Sequence, residues 1–222
     1  IFYTWIFLDE YEKRPSFIWG AVIGLTAGLA VGMKVYAGII LLPTIAWFVA
    51  RRVYKERDWV STITLGLATA VTAGVFLPLN ASYGFLLYRP LWPPHRVMQG
   101  VFDFTQWELK RQTLEAMGAR LGLIKLELIA MALFVFGNLG TRIVGFIGLL
   151  FLRIGRIRIL EQLLIIGSLV SFLTPMFFLQ PIGVFNMIQF FWYWLVFMGV
   201  LAGWGWSLMI GKVDSPWQVV LS

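Results

Sequence analysis

The chain has 222 residues, of which 59% are hydrophobic and only 13% are charged, and its mean hydropathy is +0.81. A soluble globular domain has about 25% charged residues, so this composition excludes that class of protein. The long apolar runs favour helices over the alternating strands of a membrane barrel. We therefore predict an all-α, polytopic transmembrane helical bundle that forms a single integral membrane domain over residues 1–222.

Charge and residue usage exclude several functions. The net charge of +7 is explained by basic cytoplasmic loops, and no nucleic-acid partner is expected because the sequence lacks a soluble basic face. The chain has no cysteine, which excludes thiol catalysis and cysteine metal sites. A single histidine, His95, argues against a histidine-based metal site, so neither a metal nor another cofactor is predicted.

The chain starts with a short apolar stretch followed by a charged break. Residues 1–8 resemble the end of a helix already in progress, so we expect a fragment of a longer protein that lacks earlier spans. The charged break covers residues 9–16, and Ser16 at its end is a candidate N-cap for the helix that follows.

An apolar stretch then runs from Phe17 to Ala50, with Lys34 as its only charge. As one helix it would be about 51 Å long, against about 30 Å for the hydrocarbon core of a bilayer. Its first half is crowded with glycines, at Gly20, Gly24, Gly28 and Gly32. We therefore predict two short helices, about 17–32 and 36–50, with a bend that directs Lys34 into the protein near one membrane face.

Four further spans are predicted, at residues 59–79, 123–152, 162–180 and 186–209, which gives six spans plus the N-terminal helix stub. The basic segments 51–58 and 153–158 are expected in the cytoplasm, so the loop 80–120 is expected outside. The second half of that loop, about 101–118, is amphipathic and is predicted to lie on the membrane interface as a helix. Glycines between 137 and 142 predict an irregular middle in the span 123–152.

Two sets of cations are candidates for a binding site. Lys34 lies in apolar sequence, where a charge is costly, and would suit a phosphate or carboxylate; the alternative is a lysine whose head reaches the interface. Arg89, His95 and Arg96 belong to a stiff segment with three prolines and would suit a phosphate or pyrophosphate headgroup. The alternative is an interfacial anchor that binds ordinary lipid phosphates.

Asn138 and Arg142 are polar residues inside the span 123–152. Asn138 is expected to satisfy backbone groups that the neighbouring glycines free. Arg142 is expected to pair with Glu127 or Glu161, or to reach the interface. Both residues are interpreted as structural first and as site residues second.

Asn186 and Gln189 are three residues apart and therefore share one helix face near the outer surface. They are candidate substrate contacts, and the alternative is hydrogen bonding between helices. No pair of carboxylates is predicted at the membrane midplane, where a proton-coupled pump would need one.

Two motifs of the N-terminal half are Gly28-Leu29-Ala30-Val31-Gly32-Met33-Lys34 and Ala37-Gly38-Ile39-Ile40-Leu41-Leu42-Pro43. After a glycine-rich helix, this order resembles the middle spans of GT-C-type membrane glycosyltransferases, such as protein O-mannosyltransferases. The later stretches 136–142 and 186–191 are similar to bacterial membrane proteins of that general type.

The resemblance implies transfer of a sugar from a polyprenyl-phosphate-linked donor to an envelope acceptor, on the outer face of a prokaryotic plasma (cytoplasmic) membrane. The catalytic acidic residue would lie outside this chain, in the first outer loop, which makes this chain the later, non-catalytic half. Lys34, Arg89, His95 and Arg96 would face the donor phosphate or the acceptor. The expected partners are the lipid-linked donor and membrane lipids. The alternatives are a secondary transporter for an anionic or sugar-like substrate and a non-catalytic membrane subunit.

Overall fold

The structure is a computed structural model that describes residues 1–79, 86–100, 105–144, 158–180 and 184–210. Most of these residues are helical, which confirms the predicted all-α class. The α-helices are α1 (Phe2–Lys13), α2 (Phe17–Met33), α3 (Val35–Glu56), α4 (Ser61–Leu79), α5 (Trp92–Gly100), α6 (Thr105–Ala116), α7 (Arg120–Leu139), α8 (Ile159–Phe177) and α9 (Val184–Ile210). A 3₁₀ turn at Gly140–Ile143 follows α7, and the short strands β1 (Leu87–Tyr88) and β2 (Phe178–Leu179) pair antiparallel.

Five described helices are long and apolar enough to cross a membrane, as in a multi-pass membrane protein. They cover Val35–Glu56, Ser61–Pro78, Arg120–Ile143, Ile159–Phe177 and Met187–Ser207. The first predicted span, 17–32, forms α2, an apolar helix of only 17 residues. The predicted amphipathic helix at 101–118 corresponds to α6, although residues 101–104 lie outside the described part of the chain, as do 145–157.

Two segments expected to be loops are partly helical. The basic segment 51–58 continues α3 as far as Glu56, where carboxylates neutralise Arg51 and Arg52. The proline-rich segment turns into α5 at Trp92, with Pro93 and Pro94 in the first turn. A proline is tolerated there because the backbone N–H that it lacks would have no helical partner.

The described residues divide into two compact units. Unit one contains residues 1–79 and 158–172, and unit two contains residues 86–100, 105–144, 173–180 and 184–210. The interpretation of residues 1–222 as one integral membrane domain stays a prediction.

The predicted bend at Lys34 is confirmed in unit one. Lys34 is the only residue between α2 and α3, and its backbone is extended, with φ −154° and ψ 114°. The N-cap at the other end of α2 is confirmed as well, because the Ser16 hydroxyl accepts a hydrogen bond of 3.2 Å from the Trp19 backbone N–H. The prediction that Lys34 points into the protein is wrong: its side chain is exposed, as is that of Met33 at the end of α2.

Glycines of α2 allow close contact with α4. A Cβ atom on Gly24 would lie 2.7 Å from the Cβ of Leu67, and one on Gly28 would lie 2.5 Å from the Cβ of Val71. Because real Cβ atoms do not approach so closely, no larger side chain fits at either position without a shift. The glycine seam, which comprises Gly20, Gly24 and Gly28, is therefore the small-residue packing typical of membrane helices.

A buried arginine joins α1, α3 and the start of α4. Arg52 is only 3% exposed, and it donates to one carboxylate oxygen of Asp58 at 3.1 and 2.9 Å. Its guanidinium carbon lies 5.6 Å from the centre of the Tyr11 ring, and the Tyr11 hydroxyl donates to Asp58 at 3.3 Å. The other oxygen of Asp58 accepts from the backbone N–H of Ser61 and so caps α4.

A second arginine pair lies beside the first. Arg51 donates two hydrogen bonds, of 2.8 and 2.9 Å, to the two oxygens of Glu12. This fork-to-fork geometry is the strong form of an arginine–carboxylate contact. The charged knot of unit one thus consists of Tyr11, Glu12, Arg51, Arg52 and Asp58.

Candidate functional site

The candidate site lies in unit two, where β1 pairs with the chain at the end of α8. Tyr88 stands opposite Phe178 in the two-stranded pairing. Beyond the strands, the Arg89 backbone N–H donates to the carbonyl of Phe177 at 2.8 Å. The indole N–H of Trp92 donates to the carbonyl of Phe178 at 2.9 Å. These bonds fix the segment that carries Arg89 against the last turn of a candidate membrane span.

Aromatic rings cover this junction. The Tyr88 ring stacks parallel to that of Phe177, with centroids 6.4 Å apart, and meets Phe178 edge-on at 5.9 Å. Tyr88 is 69% exposed. Phe177 is the last residue of a helix that is long enough to span a membrane, so the aromatic group of Tyr88, Phe177 and Phe178 belongs at the level where such a helix leaves the hydrocarbon.

The two arginines of this segment are exposed. Arg89 directly follows β1. Arg96 lies on α5, whose first residues, Trp92, Pro93 and Pro94, are buried. Within the described part of the chain, neither guanidinium forms an ion pair with a carboxylate. Both therefore keep donors for an external anion, and a guanidinium binds phosphate in a two-pronged geometry.

His95 is directed into unit two instead. Its Nε2 atom lies 2.6 Å from Oε2 of Glu127 on α7, and the two side chains are only 22% and 18% exposed. The imidazole also packs against the Trp107 ring of α6, with centroids 5.5 Å apart. His95 therefore connects α5 with both α6 and α7.

A second acid–base pair occupies α6. Arg111 donates two hydrogen bonds, of 2.9 and 2.8 Å, to the two oxygens of Glu108, and a third of 3.1 Å to Glu115. The hydrogen bond from Arg111, helped by others from Gln112 and Gln99, lowers the pKa of Glu108 to about 2. Glu108 is therefore ionised at any pH near neutrality.

One residue next to these polar groups, Trp107, also belongs to a buried apolar cluster. Met98, Trp107, Leu126 and Ala130 form a buried cluster, against which Leu114 packs. The indole N–H of Trp107 is buried and has no hydrogen-bond partner among the described residues. The polar cluster of unit two thus consists of His95, Trp107, Glu108, Arg111 and Glu127.

Two contacts, one from α7 and one from the 3₁₀ turn after it, show how α9 lies alongside α7 in unit two. The Phe134 and Phe191 rings meet at 5.1 Å, and the Nε atom of Arg142 lies 3.7 Å from the position of a Cβ on Gly199. Each pair is 57 residues apart in sequence, so the two helices run parallel. The same separation aligns Glu127 with residue 184, the first residue of α9, and so with the end of that helix rather than its middle.

Asn138 takes the structural role expected of it. Its side-chain amide donates to the Phe134 carbonyl at 2.7 Å, just before α7 ends at Leu139 and Gly140 adopts a positive φ of 51°. The expected pairing of Arg142 with Glu127 is wrong: the two residues are 15 positions apart on α7 and the turn after it, and Glu127 faces His95 instead.

The other predicted site residues lie apart from this group or outside it. Glu161, the second expected partner of Arg142, accepts a hydrogen bond from Arg158. Gln189 is half-buried on α9, and the side chain of Asn186 lies outside the described part of the structure. Lys34 belongs to unit one, whereas Arg89, His95 and Arg96 share one segment of unit two.

Sequence reasoning missed four members of the polar cluster as site residues: Trp107, Glu108, Arg111 and Glu127. Glu127 carried a usable signal, because an ionisable residue within a candidate span is a functional candidate by default. The spacing of Glu108 and Arg111, three residues apart on a helix, predicts their ion pair. Nothing in the sequence signals that Trp107 faces His95.

No protein-family model, no curated protein and no solved structure matches this chain. The resemblance to GT-C-type glycosyltransferases therefore stays a prediction.

Proposed function

We propose that this chain is part of a membrane glycosyltransferase that moves a sugar from a polyprenyl-phosphate-linked donor to an envelope acceptor. We place it in the plasma (cytoplasmic) membrane of a prokaryote, with the donor bound on the outer face. The observation that carries the proposal is the pair of exposed guanidinium groups, Arg89 and Arg96, on one segment, of which Arg89 is bound through its backbone to the aromatic end of α8.

This arrangement suits a lipid phosphate for three physical reasons. The prenyl chain of such a donor lies in the hydrocarbon, so its phosphate sits at the level where spans end. Arg89 is fixed at that level by backbone bonds to the end of α8. Phosphate oxygens accept paired hydrogen bonds from arginine, and flat aromatic rings pack on prenyl groups and on sugar faces.

The proposal is tested by donor binding to the intact protein in nanodiscs of zwitterionic phospholipid. The double variant Arg89→Ala/Arg96→Ala should weaken binding of a polyprenyl-phosphate hexose at least about tenfold, which corresponds to about 1.4 kcal/mol. The expected loss reflects two charge-assisted contacts to one phosphate.

A matched control separates specific contacts from general attraction by positive charge. Lys110→Ala/Arg120→Ala removes two exposed positive charges from α6 and α7 of the same unit. It should leave the Kd within about twofold, because salt screens exposed charges that make no direct contact with the phosphate. If both double variants weaken binding equally, or neither does, Arg89 and Arg96 do not form a phosphate site and the proposal fails.

A further inference from the structure

The indole N–H of Trp107 is the starting observation. Trp107 is only 9% exposed, and its Nε1 atom is buried without an acceptor among the described residues. The other buried atoms without a partner among the described residues are the hydroxyls of Thr64 and Thr72 and the Nε atom of Arg51. A hydroxyl can rotate and can also accept, and the Arg51 guanidinium already donates two hydrogen bonds to Glu12, whereas the indole of Trp107 has no other polar atom. An indole N–H only donates and points in one direction, so an acceptor for it must come from one fixed position.

His95 offers the complementary group next to it. A carboxylate only accepts hydrogen bonds, so the neutral imidazole places its proton on Nε2, facing Glu127 at 2.6 Å. Its Nδ1 atom is then an acceptor, and it makes no hydrogen bond to a described residue. Glu127 thus fixes which nitrogen of His95 can receive a proton donor from outside.

One hydroxyl group satisfies both rings at once. Its oxygen accepts from Trp107, and its proton is donated to Nδ1 of His95. Two hydrogen bonds of about 2.9 Å to one oxygen can connect nitrogen atoms up to about 5.8 Å apart. The ring centroids of His95 and Trp107 are 5.5 Å apart, which is compatible with such a bridge.

We propose that Trp107 and His95, with Glu127 as a positioning residue, bind a hydroxyl group of a sugar. This inference rests on the proposed function, and it assigns the polar cluster to the sugar of the donor rather than to its phosphate. Charged neighbours on each adjoining helix are Arg96 on α5, Glu108 and Arg111 on α6, and Glu127 on α7. Because Glu108 is held by Arg111, it does not compete for the hydroxyl.

The single histidine makes a direct test available. Diethyl pyrocarbonate modifies neutral imidazole, so the absorbance change on modification reports on His95 alone. Three probes are compared on the intact protein in nanodiscs: a polyprenyl-phosphate hexose, the same polyprenyl phosphate without sugar, and a free hexose at high concentration. At about ten times its Kd the sugar donor should slow modification about tenfold, because the free fraction falls to about one tenth. The sugar-free lipid should leave the rate within about twofold.

Trp107→Phe removes the N–H and keeps a large aromatic ring. It should raise the donor concentration needed for half-protection about tenfold, because the ligand oxygen loses its donor. Trp206→Phe is the matched control, since it makes the same change at an exposed position of α9 in unit two. It should leave protection unchanged.

The outcomes separate this inference from the phosphate proposal. If Arg89→Ala/Arg96→Ala leaves donor binding unchanged, the phosphate assignment fails. If the free hexose protects His95 in the same experiment, the sugar site stands nevertheless. If the donor binds through the arginines but leaves His95 reactive, the sugar site is wrong. If diethyl pyrocarbonate modifies His95 at the full rate in the presence of every probe, and Trp107→Phe behaves like the wild type, the inference is overturned. The two rings then bind an ordered water only.

Discussion

The charged knot of unit one and the polar cluster of unit two use similar side chains in different ways. In the knot, both arginines face carboxylates, and Arg52 is almost fully buried between Asp58 and the Tyr11 ring. In the polar cluster, Glu127 faces a histidine, and the neighbouring indole N–H has no described partner.

This difference separates a structural contact from one with remaining chemistry. A guanidinium stays protonated at any accessible pH, so the two arginines of the knot keep their positive charges and their carboxylate partners. The imidazole of His95 faces Glu127 with one nitrogen and has a second nitrogen for another ligand. The knot therefore serves stability, whereas the polar cluster retains the capacity to bind.

The largest expected effect comes from removing the buried charge of the knot. Arg52→Ala leaves Asp58 half-buried without its main partner and exposes the Tyr11 ring. Breaking a buried pair from one side costs about 3–5 kcal/mol, so the free energy of unfolding should fall by that amount. Unfolding in mixed detergent micelles measures the loss.

The control for this prediction is Arg14→Ala, which removes the same charge from an exposed position at the end of α1. It should change the free energy of unfolding by less than about 0.5 kcal/mol. Equal effects of the two variants would contradict the interpretation of the knot as a buried structural contact.

The glycine seam gives the next largest effect. Gly28→Val places a Cβ 2.5 Å from the Cβ of Val71, so α2 and α4 must separate. Overpacking of this kind costs about 1–3 kcal/mol. The same substitution at Gly203 of α9, where nothing lies within 4 Å of the added atom, should be close to neutral. Thermal unfolding of both variants in nanodiscs compares a closely packed position of unit one with an open one of unit two.

Glu108 sharpens the comparison through its pH dependence. Its pKa is lowered in the folded protein to about 2 by Arg111, against an ordinary value of 4.5. The unfolded state therefore binds a proton first as the pH falls. The stability that this contact contributes is present above pH 4.5 and is lost as the pH falls towards 2.

Glu108→Gln should remove that acid-dependent component, about 1–2 kcal/mol after allowance for solvent screening. The measurement is the unfolding temperature at several pH values between 2 and 7. Glu115→Gln is the matched control, because Glu115 also bonds to Arg111 but is 62% exposed. An unchanged acid slope in Glu108→Gln would show that the Glu108–Arg111 pair contributes little to folding.

Local features of this fold could be predicted from the sequence. The bend at Lys34 follows from the length of the apolar stretch. The N-cap of α2 follows from the hydroxyl residue Ser16, which stands just before that stretch. The role of Asn138 followed from its glycine neighbours. The cap and the contact of Asn138 each involve residues within about one helical turn, where helix geometry alone determines which groups meet, and the bend depends only on a length along the chain.

Long-range partners could not be predicted in the same way. His95 and Glu127 are 32 residues apart, and Arg51 and Glu12 are 39 apart, so their meeting depends on how helices pack. The expected pairing of Arg142 with Glu127 was wrong for a simpler reason, because the two residues are 15 positions apart along α7 and the turn after it, about 22 Å at 1.5 Å per residue. A sequence pattern shows which face of a helix is apolar, but it does not show which other helix packs against that face.

The smallest effect tests whether Tyr11 belongs to the knot through its hydroxyl or only through its ring. Burial and the nearby Asp58 carboxylate raise the pKa of Tyr11 to about 12 from an ordinary 10. Since the unfolded chain loses this proton first, the contribution of Tyr11 is present below pH 10 and is lost as the pH rises through 12. Tyr11→Phe keeps the ring next to Arg52 and should lower the free energy of unfolding by only about 1 kcal/mol at pH 7. It should also reduce the loss of stability between pH 10 and 12, the alkaline slope, which denaturant unfolding at several pH values measures.

The control is Tyr54→Phe, at a position that is 83% exposed, which should change neither the stability at pH 7 nor the alkaline slope. If Tyr11→Phe keeps the alkaline slope of the wild type, the hydroxyl contributes nothing, and the knot is held by its two arginines alone.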